Sequence, residues 1–159
     1  MFSKKIIQKL FKKILITKFC EDLIIKEYPN DQMKTPMHMS KGEEIIISSI
    51  VSIFGENNDY FGYYRSHSLY LSVTENIKGF LGELYGKKIG QNEGLTGSMH
   101  IFTPESNIKL MSAIVSGTIA PSLGNAYGNL IKKKKKIHDM FFWRWSYRGR
   151  SFLGDFKFC

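Results

Sequence analysis

A Gly-rich stretch from Gly94 to Gly128 constrains this chain more than any other segment. It runs Gly94-Leu95-Thr96-Gly97-Ser98-Met99-His100, continues through Met111-Ser112-Ala113-Ile114-Val115-Ser116-Gly117, and reaches Pro121 and Gly124. Glycine lets a backbone approach a ligand closely and reach conformations closed to other residues. From Ser116 to Leu130 there is almost no bulk until Tyr127, so a helix there can pack tightly against a sheet or a partner. A loop that presents backbone amides and then opens a helix can hold an anion or a flat heterocycle. The plainer reading is a surface loop followed by a packed helix.

The chain is 159 residues long and 43% hydrophobic, enough for one domain with a real core. Its net charge of +9 permits nucleic acid, acidic membrane or an acidic partner and selects none of them. No apolar run approaches the roughly 20 residues that span a bilayer. Cys20 and Cys159 are far apart and match no metal spacing, which reads as a reduced, cytoplasmic protein.

Residues 4–27 form an amphipathic helical pattern capped by Ser3. Ile6, Ile7, Leu10, Phe11, Ile14 and Leu15 share one face, and Lys4, Lys5, Lys9, Lys12 and Lys13 another. The expectation is a first packing helix; a membrane-surface helix or a targeting segment are the alternatives. A loop spans Tyr28–Ser40 with His38 between Met37 and Met39. Glu43–Ile53 reads as a helix capped by Ser40 and apolar nearly all round, hence buried. Tyr60–Tyr64 is strand-like, Leu69–Tyr85 one or two helices with Phe80, Leu81, Leu84 and Tyr85 on a stripe, and Ile137–Phe142 the start of a buried strand. Lys132–Lys136 is either an anion patch or a solvated helix end.

Arg65, beside Tyr64 and His67, is a credible phosphate contact, because guanidinium binds phosphate oxygens bidentately and a phenol adds a donor. His38 and His100 each sit beside methionines in loops. No nucleophile elbow, Walker loop or paired-cysteine motif is present. Pattern alone reaches an α/β segment with a possible anion site.

Several short motifs in order give more. Pro36-Met37-His38-Met39-Ser40-Lys41-Gly42-Glu43-Glu44, Tyr64-Arg65-Ser66-His67, Glu83-Leu84-Tyr85-Gly86-Lys87-Lys88, Gly97-Ser98-Met99-His100 and Ile114-Val115 follow one another across residues 8–142. This series resembles the alpha subunit of thiamine-diphosphate-dependent 2-oxo acid dehydrogenases, the first component of pyruvate- and branched-chain-type complexes. The resemblance implies the N-terminal portion of a thiamine-diphosphate-binding, doubly wound α/β fold, helix-rich with an incomplete parallel sheet. It implies that Tyr64 and Arg65 hold the cofactor diphosphate, that the catalytic candidate His38 lies near the active-site channel, and that the backbone at Ala113 and Val115 bonds the aminopyrimidine ring. The family usually has glycine where Ala113 stands, and a Gly-Gly pair where this chain has Thr96-Gly97.

The larger departure follows Phe142, where the family places Gly-Asp-Gly and, later, an asparagine to hold magnesium through oxygen ligands. This chain reads Phe142-Trp143-Arg144-Trp145-Ser146-Tyr147-Arg148-Gly149-Arg150 and continues to Cys159, so no metal ligand is assigned. Allowed codons for Phe142–Cys159, read one base out of frame after Phe142, encode Gly-Asp-Gly-Ala-Thr-Glu-Glu-Gly-Val-Phe-Trp-Glu-Ile-Leu-Asn-Phe. The expectation is therefore a family segment at 1–142 and an out-of-frame tail at 143–159, making a truncated and inactive fragment with exposed apolar surface and at most the sheet's first strand. The resemblance implies a beta-subunit partner and a lipoyl-bearing acyltransferase, with thiamine diphosphate and magnesium as cofactors. No nucleic acid or membrane is expected. The competing reading is a basic nucleic-acid-binding module using the Arg/aromatic tail.

Overall fold

A computed structural model of the chain describes residues 3–134 and the backbone of a short strand at 138–140. Helix α1 spans Lys4–Glu27, with Ser3 Oγ accepting the Ile6 amide as the N-cap. It ends against Pro29, which opens a single 3₁₀ turn. Helix α2 covers Glu44–Phe54, strand β1 Asp59–Tyr63, α3 His67–Thr74 and α4 Ile77–Leu84. Strand β2, Ile108–Ser112, follows the Gly-rich loop; α5 is Ile119–Ile131 and β3 is His138–Met140.

The three strands make a parallel sheet in the order β2-β1-β3. Tyr63 pairs with Ser112 at one end of the ladder, and Asp59 with His138 at the other. All five β1 positions are buried, as a central parallel strand covered on both faces requires. The sheet is thus larger than the single strand expected from sequence. Ile108–Ser112 also interrupts the stretch read as one loop running into a helix.

Helices α1, α2 and α3 pack on one another. The core joins Ile24, Ile47, Val51, Tyr60, Leu69, Leu71, Phe80, Leu84, Ile108 and Met111. Leu69–Tyr85 resolves into two helices: Glu75 adopts φ 53° at the C-cap of α3, and the Asn76 side chain caps α4 by accepting the Gly79 amide at 2.9 Å.

Four expectations are corrected. The face of α1 turned inward carries Lys13, Thr17, Cys20, Glu21 and Ile24; of the predicted apolar face Ile6, Leu10 and Ile14 are half-buried, while Ile7, Phe11 and Leu15, with Phe19 and Leu23, are exposed. The buried charges explain the reversal. Lys13 Nζ donates to the Ser72 carbonyl and faces Glu56 at 3.0 Å and Glu75 at 3.5 Å. Glu21 Oε1 accepts from the Ser40 amide at 2.6 Å and the Ser40 hydroxyl at 2.8 Å, and lies 3.0 Å from His67 Nδ1. Ser40 is therefore engaged with Glu21 and does not cap α2 through its side chain; the N-cap is Glu43. Nor is α2 buried all round, since Ile45, Ile46, Ile53 and Phe54 face solvent. In α5, no described residue lies within 4 Å of where a Cβ at Gly124 or Gly128 would sit, so these two glycines are not used for close packing against the described residues. Instead Asn125 and Asn129 each reach Asp59 Oδ2 at 2.8 Å and tie the helix to β1. Lys132–Lys134 are exposed, as a solvated helix end; the rest of that run and the tail lie outside the described residues.

Candidate functional site

A parallel sheet brings the carboxyl ends of its strands to one edge, and open α/β sheets bind ligands there at the point where strand order reverses. Here that edge holds the turn after β1, Tyr64-Arg65, beside the turn after β2, Ala113-Ile114-Val115, because Tyr63 and Ser112 are register partners. Four of the five candidate residues thus follow directly from the ends of two paired strands.

The fifth, His38, arrives from the long loop before α2. Its ring meets Tyr64 edge-on with centroids 5.2 Å apart, and Tyr64 in turn meets Tyr63 at 5.5 Å. The Arg65 guanidinium lies 5.7 Å from the Tyr64 ring centroid and donates through Nη1 to the Met39 carbonyl at 3.0 Å. His38, Tyr64 and Arg65 therefore form one half-buried cluster. His38 Nδ1 is buried with no hydrogen-bond partner among the described residues, an acceptor or donor left available at the cluster's centre.

Glu43 and Tyr63 complete this corner, and neither stands out in the sequence as a site residue. The Tyr63 hydroxyl donates to Glu43 Oε2. Burial pushes the Glu43 carboxyl above its ordinary range; Glu21 and Glu44 push the same way, and Arg65 opposes them.

The turn after β2 is shaped by its own short bonds. Ser112 Oγ accepts the Ile114 amide at 3.1 Å, and the Gly117 amide donates to the Ile114 carbonyl at 2.9 Å. Ile114 and Val115 are exposed at the same edge as Arg65.

The Gly-rich loop behaves differently from the cradle its composition suggests. Its amides are already occupied by an internal anion, the buried carboxylate of Glu83 on α4. Glu83 Oε2 accepts the amides of Asn92 at 2.8 Å and Gly94 at 2.9 Å. Glu83 Oε1 accepts the Thr96 amide at 2.7 Å, the Thr96 hydroxyl at 3.0 Å and the Gly97 amide at 3.2 Å. Burial alone would raise this carboxyl, but the bonds from Thr96, Gly94 and Asn92 outweigh it and hold it below its ordinary range. Glycine is needed twice here. Gly94 sits at φ 78°, where a Cβ would strike the Gly86 backbone, and Gly97 at φ 66°, where one would come within 2.5 Å of Thr35 Oγ1. The available signal for Glu83 was a carboxylate between Gly82 and Leu84 on the apolar stripe of a helix, where a charge must find partners.

The residues fit one part of the implied cofactor. Arg65 and the Tyr64 hydroxyl supply a cation and a donor at the strand edge where a diphosphate would sit, and the exposed turn at 113–115 lies beside them. Among the described residues no group of three or more His, Cys, Asp or Glu could hold a metal ion, and the segment after Phe142 lies outside them.

Comparison with known proteins assigns the lineage. A family model described as "Dehydrogenase E1 component" matches residues 12–142. Pyruvate dehydrogenase E1 component subunit alpha-3, chloroplastic, of Arabidopsis thaliana is 24% identical over 126 residues, 79% of this chain and 29% of that protein. The corresponding alpha subunit of Porphyra purpurea is 25% identical over 125 residues, 79% of this chain and 36% of its own length. The alpha subunit of acetoin:2,6-dichlorophenolindophenol oxidoreductase from Bacillus subtilis is 23% identical over 133 residues, covering 84% of this chain and 40% of the relative. The chain thus spans about a third of the length of these curated relatives. With the parallel sheet, the motif order and this match in agreement, the chain belongs to the dehydrogenase E1 component family.

Proposed function

We propose that the chain carries the diphosphate-binding corner of a thiamine-diphosphate-dependent 2-oxo acid dehydrogenase alpha subunit. The observation that carries this reading is the convergence of His38, Tyr64 and Arg65 beyond the carboxyl end of β1, next to the turn after β2. Arg65 and Tyr64 hold the diphosphate, the backbone at Ala113 and Val115 orients the aminopyrimidine, and His38 stands at the substrate side as the proton-carrying candidate. When bound, thiamine diphosphate would supply the carbanion chemistry of decarboxylation, with magnesium as its counter-ion in the parent enzyme, and the part of these residues would be to orient the group and exclude water.

The parent enzyme in this reading passes its acyl product to the lipoyl disulfide of an acyltransferase and works with a beta subunit, in the cytoplasm. The names of the relatives support that class but span pyruvate and acetoin chemistry, so the 2-oxo acid is left open. Residues 1–142 are the family segment and 143–159 an out-of-frame tail, a division supported by a family match that stops at Phe142. The short chain by itself is inactive, because the magnesium motif is replaced. An independent nucleotide read across the codons for Lys132–Trp145 tests the tail: an uninterrupted downstream frame beginning Gly-Asp-Gly upholds it, and its absence removes it.

The site itself is tested by calorimetric titration of thiamine diphosphate into the chain and its Arg65→Ala variant. Loss of a charge-assisted bond weakens binding by about 10- to 100-fold. Equal binding by both proteins overturns the assignment of Arg65.

A further inference from the structure

The Gly-rich loop and the His38 cluster are joined by hydrogen bonds and short backbone links that begin at Glu83. The Glu83 carboxylate gathers the amides of Asn92, Gly94, Thr96 and Gly97. The next residue, Ser98, is buried and grips the segment before His38 twice. Its amide donates to Thr35 Oγ1 at 3.1 Å, and its hydroxyl donates to the Pro36 carbonyl at 2.8 Å. The same segment is held from the other side by α4, where the Lys34 amide donates to the Leu84 carbonyl at 2.9 Å. Residues 34–36 are therefore clamped between the two neighbours of one anion, Leu84 in sequence and Ser98 through the loop. Two residues on come His38, against Tyr64, and Met39, whose carbonyl holds Arg65.

We propose that Glu83 is a positioning residue for the His38–Tyr64–Arg65 cluster: by acting as the internal anion of the Gly-rich loop it fixes Ser98, and Ser98 sets where His38 and the Met39 carbonyl stand. The chemistry requires a carboxylate. Four N–H groups and one O–H converge on two oxygens, and only an acceptor-only group satisfies them all. A glutamine there turns its NH₂ toward two of the amides and leaves them unpaired. A ligand anion has no place in this loop, because Glu83 fills it, so among the described residues the candidate phosphate contacts are those at the strand edge. The inference rests on the diphosphate reading only for what is positioned; the relay itself does not.

The test uses the whole chain, isotopically labelled, with Glu83→Gln and Ser98→Ala. Three quantities are read: amide exchange at Asn92, Gly94, Thr96 and Gly97; the ring-current shift that Tyr64 imposes on the His38 Cε1 proton; and calorimetric binding of inorganic pyrophosphate. Glu83→Gln is expected to speed exchange about tenfold or more, the worth of a charge-assisted bond, to move the His38 signal and to weaken pyrophosphate binding. Ser98→Ala cuts the relay downstream, so it moves the His38 signal and weakens pyrophosphate while the four amides stay protected. If Glu83→Gln loosens the loop yet leaves the His38 signal and pyrophosphate binding unchanged, Glu83 serves the loop only and the inference is overturned. If the wild-type chain binds no pyrophosphate while both variants still move the His38 signal, the diphosphate reading fails and the positioning role stands. Should Glu83→Gln not fold, Ser98→Ala decides alone, and an unmoved His38 signal overturns the inference.

Discussion

Lys13 and Glu83 show how single charges organise this interior. Lys13 is fully buried, whereas its partners Glu56 and Glu75 remain partly exposed. The two ends of the interaction therefore differ in what their removal leaves behind. Lys13→Met leaves two carboxylates that water can reach and one unpaired Ser72 carbonyl, at about 1–3 kcal/mol. Glu56→Gln with Glu75→Gln leaves a buried ammonium without a counter-charge, at about 3–5 kcal/mol. Urea unfolding of the two variants is expected to rank them in that order. The carboxylates also set an acid limit. Against the opposing pull of burial, bonds to Lys9 and Lys13 lower Glu56, bonds to Lys12 and Lys13 lower Glu75, and amide bonds lower Glu83. A carboxyl depressed on folding stabilises the native state above its unfolded pKa of about 4.3 and loses that contribution as pH falls through the folded value. Stability is thus expected to fall below the ordinary carboxylate range, with a shallower fall in Glu83→Gln, read from unfolding midpoints at descending pH. Glu43 has the opposite sign: raised by burial, it costs stability as pH rises through its range. At this scale the sequence offered Tyr64 and Arg65 as candidates by type and neighbourhood, and His38 through the family resemblance. Glu83, Glu43 and Lys13 stayed hidden because a charge's worth depends on who sits across from it, tens of residues away.

Among the elements, α1 is the most instructive. Its residues 7, 11, 15, 19 and 23 form an apolar row, and residues 13, 17, 20, 21 and 24 form a second row at equally helical spacing. Hydropathy ranks the first row as the inner one, and tertiary structure buries the second. The exposed row, with Ile77 and Leu81 of α4, borders an apolar groove of about 770 Å³. Replacing Phe11 and Phe19 with lysine is therefore expected to leave the helical circular dichroism intact and reduce light scattering, since both side chains are more than 60% exposed. Loss of helix signal would show that this face packs after all. The α4 cap offers a smaller test. Asn76→Ala removes the acceptor of the Gly79 amide and costs about 1 kcal/mol in thermal unfolding. Helix termini were readable because caps are local: Ser3 was visible from sequence, and Pro29 marked the stop. Ser40 was misread because its side chain is taken by Glu21, a partner no local pattern contains. Strand β2 escaped for a related reason, since five residues are too short for alternation to outweigh the glycines on both sides.

Taken whole, the described part of the molecule is a three-stranded parallel sheet with helices that leave much apolar surface open. Ile114, Val115, Leu123, Tyr127, Leu130 and Ile131 are exposed around the turn after β2 and along α5, in addition to the groove on α1. Surfaces of this kind lead to association. Calorimetric melting of the purified chain is expected to shift with protein concentration and to lack full cooperativity; a sharp transition independent of concentration would contradict this. The sequence by itself determined the α/β class, the Ser3 cap of α1, the order of the motifs and the residue types at the strand edge, because each of these is written within a few consecutive positions. Only the tertiary structure decided which face of α1 is buried, which strands pair, and that the anion of the Gly-rich loop is the chain's own Glu83. Those outcomes depend on charges and backbone amides meeting across long sequence separations, and burial makes such meetings outweigh local hydropathy.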